Sequence, residues 1–218
     1  GKEMVIRVAD ICSKIKDVNV YIATDSKKIA NVVKKYGYNY IFTSSSCLTG
    51  TDRVAEASKK IRSKIYINVQ GDEPTINPKD IKKVIDMKKK FPNHVVCGYT
   101  KVHDFENPSN INLPKVVVNS KGELIYISRA LVPGKKKNSQ KIQYHKQVCI
   151  YAFNKKQLNK FYSMKKKSET ESSEDIEILR FFDLNEKIKM AKLNSNSVAV
   201  DEITDVKKAE KLLLKKNI

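Results

Sequence analysis

The feature that most constrains this chain is the way its apolar periodicity switches between two regular types over the first hundred residues. Residues 3–15 repeat at helical spacing, through Met4, Val5, Val8, Ile11 and Ile15. Residues 18–23 are rich in branched side chains and read as a strand ending at Thr24-Asp25. The pattern continues with a helix over 26–36 stopped by Gly37, a strand over 38–43, a helix over 51–61 and a strongly β-like run over 64–69. Pro78 then opens a helix to Lys90, as proline at a first helical turn allows, and residues 95–101 form the next strand. Strands alternating with helices predict a mostly parallel sheet with helices on both faces.

The second half changes character. Residues 114–119 and 124–128, joined by Ser120-Lys121-Gly122, read as a β-hairpin. A lysine-rich loop over 134–142 follows, then a strand over 147–153, helices over 155–163 and 174–183, a strand over 187–193 and a helix over 204–215. The expectation is one α/β domain spanning 1–218, with a mixed sheet and an antiparallel insertion. Such a domain ordinarily opens with a strand, whereas this sequence opens at Gly1-Lys2-Glu3-Met4 directly before helical spacing. A segment upstream of Gly1 is therefore expected to be absent.

Composition narrows the function classes. With 218 residues, 40% of them hydrophobic, the chain can bury a sizeable core. No apolar run approaches the ~20 residues a membrane helix requires. The net charge of +19 comes almost wholly from lysine, since Arg7, Arg53, Arg62, Arg129 and Arg180 are the only arginines. A nucleic-acid groove favours arginine, whose fixed fork reads bases and clamps phosphates, so scattered lysines predict solvated faces and no specific nucleic-acid partner. Cys12, Cys47, Cys97 and Cys149 show neither zinc nor CxxC spacing, and three of them lie in apolar surroundings. Reduced thiols and the lack of a secretory segment fit a cytoplasmic location.

Ligands of open α/β sheets bind outside the carboxyl ends of the strands. Three polar clusters fall there: Ala23-Thr24-Asp25-Ser26, Thr49-Gly50-Thr51-Asp52-Arg53, and Gln70-Gly71-Asp72-Glu73-Pro74. In the second, a glycine turn opens a helix whose free N–H groups can hold a phosphate or a base edge. The third delivers two carboxylates at a strand end, a position that suits Mg²⁺ bound through one or two carboxylates and substrate phosphates, or a plain polar turn. Asp201, after Val198-Ala199-Val200, reads as a helix cap or as a further ligand. No Walker A loop, GxGxxG or GxSxG occurs.

These residues resemble a family. VYIATD over 20–25, TGTDRVAE over 49–56, NVQGDEP over 68–74, YISRA over 126–130, Ile150-Tyr151, the spacing Glu171/Glu174/Glu177 before Leu179-Arg180, and Val200-Asp201 are similar to the 3-deoxy-manno-octulosonate (Kdo) cytidylyltransferases, in the same order along the whole chain. The resemblance implies a Rossmann-like nucleotidyltransferase fold, a homodimer formed through the second half, and transfer of CMP from CTP to a 2-keto sugar acid for lipopolysaccharide assembly. It implies Mg²⁺ held by Asp72 and Asp201. Thr49, Gly50 and Arg53 would surround the nucleotide. Gln70, Arg129, Gln147, Tyr151 and Glu177 would line the sugar pocket, with Arg129 pairing the sugar carboxylate.

Two departures follow from the same resemblance. The family has a strand and a basic, triphosphate-holding loop ahead of the position of Gly1, so this chain alone is expected to be weakly active or inactive. Where many members carry Arg-His, this chain has Lys146-Gln147, which leaves open whether the sugar is Kdo, an 8-amino relative or another 2-keto acid. The rival readings are another nucleotidyltransferase or glycosyltransferase, a non-catalytic relative, and a basic nucleic-acid module. The last gives Asp72, Glu73 and Asp201 no purpose.

Overall fold

The protein is described, from a computed structural model, over residues 1–137, 141–200 and 202–215. Asp201 and part of the lysine-rich loop (138–140) lie outside the described residues.

The first half alternates as its periodicity predicts: α1 (Met4–Ser13), β1 (Tyr21–Thr24), α2 (Lys27–Lys35), β2 (Asn39–Phe42), α3 (Gly50–Ala57), β3 (Tyr66–Val69), α4 (Pro78–Lys90) and β4 (Val95–Lys101). Then come β5 (Lys115–Val118), β6 (Leu124–Ser128), β7 (His145–Phe153), α5 (Lys155–Ser163), α6 (Glu169–Glu174), α7 (Arg180–Asp183), β8 (Ile188–Lys192) and α8 (Ile203–Lys215). Local chemistry fixes several ends. Asn77 caps α4 through the Lys79 N–H, Pro78 fills its first turn, and Lys88, Lys89 and Lys90 complement its carboxyl end. Asn154 and Gln157 form a reciprocal capping box on α5.

Two sheets result. β1 and β2 pair in parallel. The larger sheet runs β6-β5-β7-β4-β8, with β3 also on β7. Within it β3, β4, β5 and β8 point one way, as the parallel reading expects. Most hydrogen-bonded neighbours are nonetheless antiparallel, because the reversed strand β7 pairs with β3, β4 and β5. Helical periodicity carries no information about strand direction, so this reversal is new.

Side chains of β7 alternate between two cores, as a strand's two-residue period dictates. Tyr151 and Phe153 enter one core, where Phe153, Phe161 and Phe181 stack beneath α3, α5 and α7. Val148, Ile150 and Ala152 enter the other, against Ile11 of α1 and Ile81, Val84 and Ile85 of α4. Helices thus cover both faces of the sheet.

The helix expected over 174–183 is a correction. α6 ends at Glu174, its cap Asp175 sits in the left-handed region at φ 49°, and a 3₁₀ turn (Glu177–Leu179) precedes α7. On one unbroken helix, Glu171, Glu174 and Glu177 would share a face. The break sends them to three different partners: Glu171 to Arg180, Glu174 to Arg129 and Glu177 to Thr51.

Candidate active site

The carboxyl ends of β1, β2 and β3 converge on the first turn of α3. Arg53 of that turn donates to the Thr43 hydroxyl at 2.6 Å and pairs with Asp25 at 3.3 Å, which ties the first polar cluster to the second. Gly50 faces the third. A Cβ built there would lie 3.6 Å from the Gln70 amide nitrogen, 3.6 Å from Glu177 Oε2 and 3.7 Å from the Asn68 amide nitrogen. Gly50 therefore floors a small polar cradle.

The cradle is organised by Glu177. Its Oε2 accepts the Thr51 N–H at 2.8 Å and its Oε1 accepts the Gln70 amide at 3.1 Å. Thr49 accepts the Asp52 N–H through its hydroxyl, as an N-cap residue does. The helix terminus expected to offer free N–H groups to a phosphate is thus already occupied at Thr51 and Asp52, one of them by a carboxylate. Burial raises Glu177 above the ordinary carboxylate range, against the pull of the Thr51 N–H. A cradle of two amides and one carboxylate suits sugar hydroxyls or a base edge better than an anion.

Asn68 was not singled out by its sequence position, although a polar side chain inside the most β-like strand is a visible signal. It is buried, and its amide nitrogen has no partner among the described residues. A buried amide left so costs about 1–3 kcal/mol, which a ligand acceptor in the cradle would recover.

The wall beside the cradle is β7. Gln147 donates to the Tyr151 hydroxyl at 3.0 Å and contacts the Cys97 sulfur at 3.6 Å. Burial holds the Tyr151 phenol well above its usual range and pushes the Cys97 thiol to about 12, so both stay protonated near neutral pH.

Beneath α3 lies a network that sequence reasoning missed. Arg180, fully buried and stacked 3.9 Å over Phe161, donates to both oxygens of Asp52 and to both oxygens of Glu171. Two carboxylates compensate one guanidinium, with every charged group hydrogen-bonded. Asp52 and Arg180 are 128 residues apart, so no local pattern announces the pair.

Arg129 takes no part in the cradle's hydrogen bonds. Its guanidinium donates to the carbonyls of Glu174, Ile111 and Asp175, and its N–H donates to the Glu174 carboxylate. Three of its five N–H bonds are used and two remain.

Asp72 and Glu73 occupy the turn after β3. The Val200 N–H donates to the Asp72 carbonyl at 2.9 Å, so the chain segment leading to Asp201 is anchored at Asp72 by its backbone. Glu73 is buried; desolvation raises it to about 7, with Asp72 adding to the effect, so it is a poor metal ligand near neutral pH. Among the described residues no group of three or more His, Cys, Asp or Glu gathers to hold a metal. The donor chemistry at Asp72, a hard carboxylate at a strand end, still fits Mg²⁺, which needs only one or two carboxylates when substrate phosphates supply the rest.

Comparison with known proteins identifies the family. A family model described as Cytidylyltransferase matches residues 1–188. The 3-deoxy-manno-octulosonate cytidylyltransferase of Rickettsia felis (strain ATCC VR-1525 / URRWXCal2) is 38% identical over 199 residues, 88% of this chain and 77% of the relative. That of Koribacter versatilis (strain Ellin345) is 34% identical over 204 residues, 91% of this chain and 75% of the relative. A solved CMP:2-keto-3-deoxy-manno-octonic acid synthetase complexed with CTP superposes with a TM-score of 0.90 at 28% identity, covering 99% of this chain and 89% of that one. A putative glucose-1-phosphate thymidylyltransferase from Bacillus anthracis (TM-score 0.67, 12% identity, 96% and 81% covered) shares the fold alone. With its Rossmann-like α/β sheet and a family match over most of its length, this chain belongs to the cytidylyltransferase family of nucleotidyltransferase enzymes.

Proposed function

We propose that the protein transfers CMP from CTP to the anomeric hydroxyl of 3-deoxy-manno-octulosonate, releasing pyrophosphate, as a step toward lipopolysaccharide. The observation that carries this reading is the cradle of Gly50, Gln70 and Glu177 at the strand ends, in a chain whose relatives are named for that reaction. The hydroxyl oxygen of the sugar attacks the α-phosphorus, the bond to pyrophosphate breaks, and the hydroxyl proton leaves for solvent. Most of the protein's work in such a transfer is positioning and electrostatics. Glu177 and Gln70 orient sugar hydroxyls, with Gln147 and Tyr151 as the adjoining wall. Thr49, Gly50, Asn68 and Arg53 border the nucleotide. Arg129 offers its two remaining N–H bonds to the sugar carboxylate.

Asp72 and Asp201 would hold Mg²⁺, and the ion would supply charge neutralisation at the phosphates and a lowered pKa for the attacking hydroxyl. The reading includes a homodimer. It is supported by the exposed apolar side chains Ile111, Ile125 and Leu131 on and around the β5–β6 hairpin.

The test is product formation. The chain incubated with CTP, Mg²⁺ and Kdo is expected to give, at a low rate, pyrophosphate and a CMP-sugar of the right mass, with UTP a poor replacement. Equal pyrophosphate release from UTP, or release that ignores the sugar, overturns the reading.

A further inference from the structure

We infer that the face built from residues 57–64 and 154–168 is a docking surface for a membrane whose headgroups carry negative charge. The two segments hold ten cations, nine lysines and Arg62, and neither contains an Asp or Glu. The fold sets them side by side. Lys155, at the start of α5, donates to the carbonyl and the hydroxyl of Ser58, the cap of α3, at 2.5 and 2.9 Å. Lys59 and Lys165 reach the same Tyr162 ring from the two segments, at 3.7 and 4.0 Å from its centroid. Their ammonium groups thus stand closer together than the ~8 Å over which physiological salt screens charge. Little on the molecule answers this charge. Lys160 pairs with Glu186 and Lys167 with Asp175, and the other eight cations have no carboxylate partner among the described residues. Glu56, which precedes the first segment, is turned toward the Ser44 N–H and the Cys47 thiol. Burial, and after it the Lys59 ammonium, lowers the Lys155 pKa, so repulsion within the patch is already felt.

The class of partner follows from what the face lacks. Neither segment exposes a large apolar side chain, so there is no anchor of the kind that carries a protein–protein interface, and lysine is depleted from such interfaces. A single-stranded nucleic acid needs open aromatic rings on which its bases stack, and it favours arginine. Here Tyr66 is buried, Tyr162 is engaged by two ammonium groups, and nine of the ten cations are lysine. A fluid array of phosphate headgroups asks for charge alone, and each lysine near an anionic leaflet strengthens binding by a factor of about five. Without an apolar anchor the contact is peripheral and yields to salt. The cradle stays open, because the face begins at the carboxyl end of α3, ~12 Å along the helix from Gly50 at ~1.5 Å per residue. Docking of this kind needs nothing from the proposed reaction, so its failure leaves that reading untouched.

Co-sedimentation of the intact 218-residue chain with lipid vesicles is the test. Vesicles of one-third phosphatidylglycerol and two-thirds phosphatidylcholine are compared with phosphatidylcholine alone. Binding is expected to the anionic vesicles only, and it is expected to weaken about tenfold or more as salt rises from ~0.01 M to ~0.15 M. Four exposed lysines of the face are then neutralised together, as Lys59→Gln, Lys156→Gln, Lys165→Gln and Lys166→Gln. That variant is expected to bind at least about tenfold more weakly. A control of equal charge on α2, with Lys27→Gln, Lys28→Gln, Lys34→Gln and Lys35→Gln, is expected to lose less than about threefold. Should the first variant have a lowered Tm, the pair Lys156→Gln and Lys166→Gln takes its place, with an expected loss of about fivefold or more. Four results overturn the proposal: equal binding to neutral vesicles, equal losses in face and control variants, binding indifferent to salt, or tighter binding to polyuridylate or polyglutamate than to vesicles at matched negative charge. The last assigns the face to a nucleic acid or to an acidic protein.

Discussion

Glu177 accepts the Thr51 N–H at 2.8 Å across 126 residues of sequence, and this bond decides what the first turn of α3 can receive. A helix amino terminus ordinarily attracts anions. Here a carboxylate already holds that place and turns its other oxygen to Gln70, so the Thr51 N–H is not free for a phosphate.

Glu177→Gln keeps the size but sets an amide against the Gln70 amide. The expected outcome is a fall of tenfold or more in sugar-dependent kcat/KM for pyrophosphate release, corresponding to about 1.4 kcal/mol, with little change in Tm. Steady-state kinetics beside thermal unfolding checks the pair of outcomes.

Gly50→Ala probes the cradle floor. The new Cβ meets its neighbours at ordinary contact distances of 3.6–3.7 Å, so folding is expected to be intact or slightly improved by the helix-favouring residue. The same methyl fills the space a ligand would approach, and titration calorimetry is expected to show weaker CTP or sugar binding.

Arg180→Met removes the one cation that the buried Asp52 and Glu171 share. Stranding both carboxylates is expected to cost about 3–5 kcal/mol, read as a lower urea midpoint. The double change of Asp52 and Glu171 to their amides in the Arg180→Met background should recover part of the loss.

Glu174 supplies the acid limb of stability. Burial pushes its carboxyl upward, but the Ser128 hydroxyl at 2.6 Å, the Arg129 N–H at 2.8 Å and the Tyr126 hydroxyl outweigh it and hold the group below its usual value of 4.5. The unfolded chain then binds the proton more readily. Stability from this group is present above pH 4.5 and is lost as pH falls through the lower, folded value. Glu174→Gln is expected to lose ~1–2 kcal/mol at pH 7 and progressively less as pH falls below 4.5, measured by denaturant unfolding across the acid range.

Gln147→His tests selection among sugars. Gln147 is fixed by its bond to the Tyr151 hydroxyl, and exchanging an amide for an imidazole alters the donor and acceptor it presents. The ratio of kcat/KM for Kdo against its 8-amino relative is expected to change by about tenfold, a scale set by one hydrogen bond gained or lost.

The sequence made some of this legible and hid the rest for physical reasons. α4 and α5 match their expected bounds residue for residue, because Pro78, Asn77 and Asn154 mark the starts chemically. The strand-end clusters at 23–26, 49–53 and 70–74 were readable because turns concentrate polar residues where a sheet stops. The break at Asp175 was not, since one left-handed residue leaves the apolar spacing unchanged. The Arg180–Asp52 pair was equally hidden, because contact across 128 residues belongs to topology and not to pattern.

The reversed strand β7 also sets a timetable for synthesis. β3, β4 and β5 all lean on it, so none of the three can acquire that partner until Phe153 has left the ribosome. Up to that moment the nascent polypeptide carries several sticky borders with nothing to zip against. Such delayed, long-range closure slows assembly and leaves intermediates prone to clumping. The nascent chain therefore carries this hazard until residue 153 of its 218 has emerged.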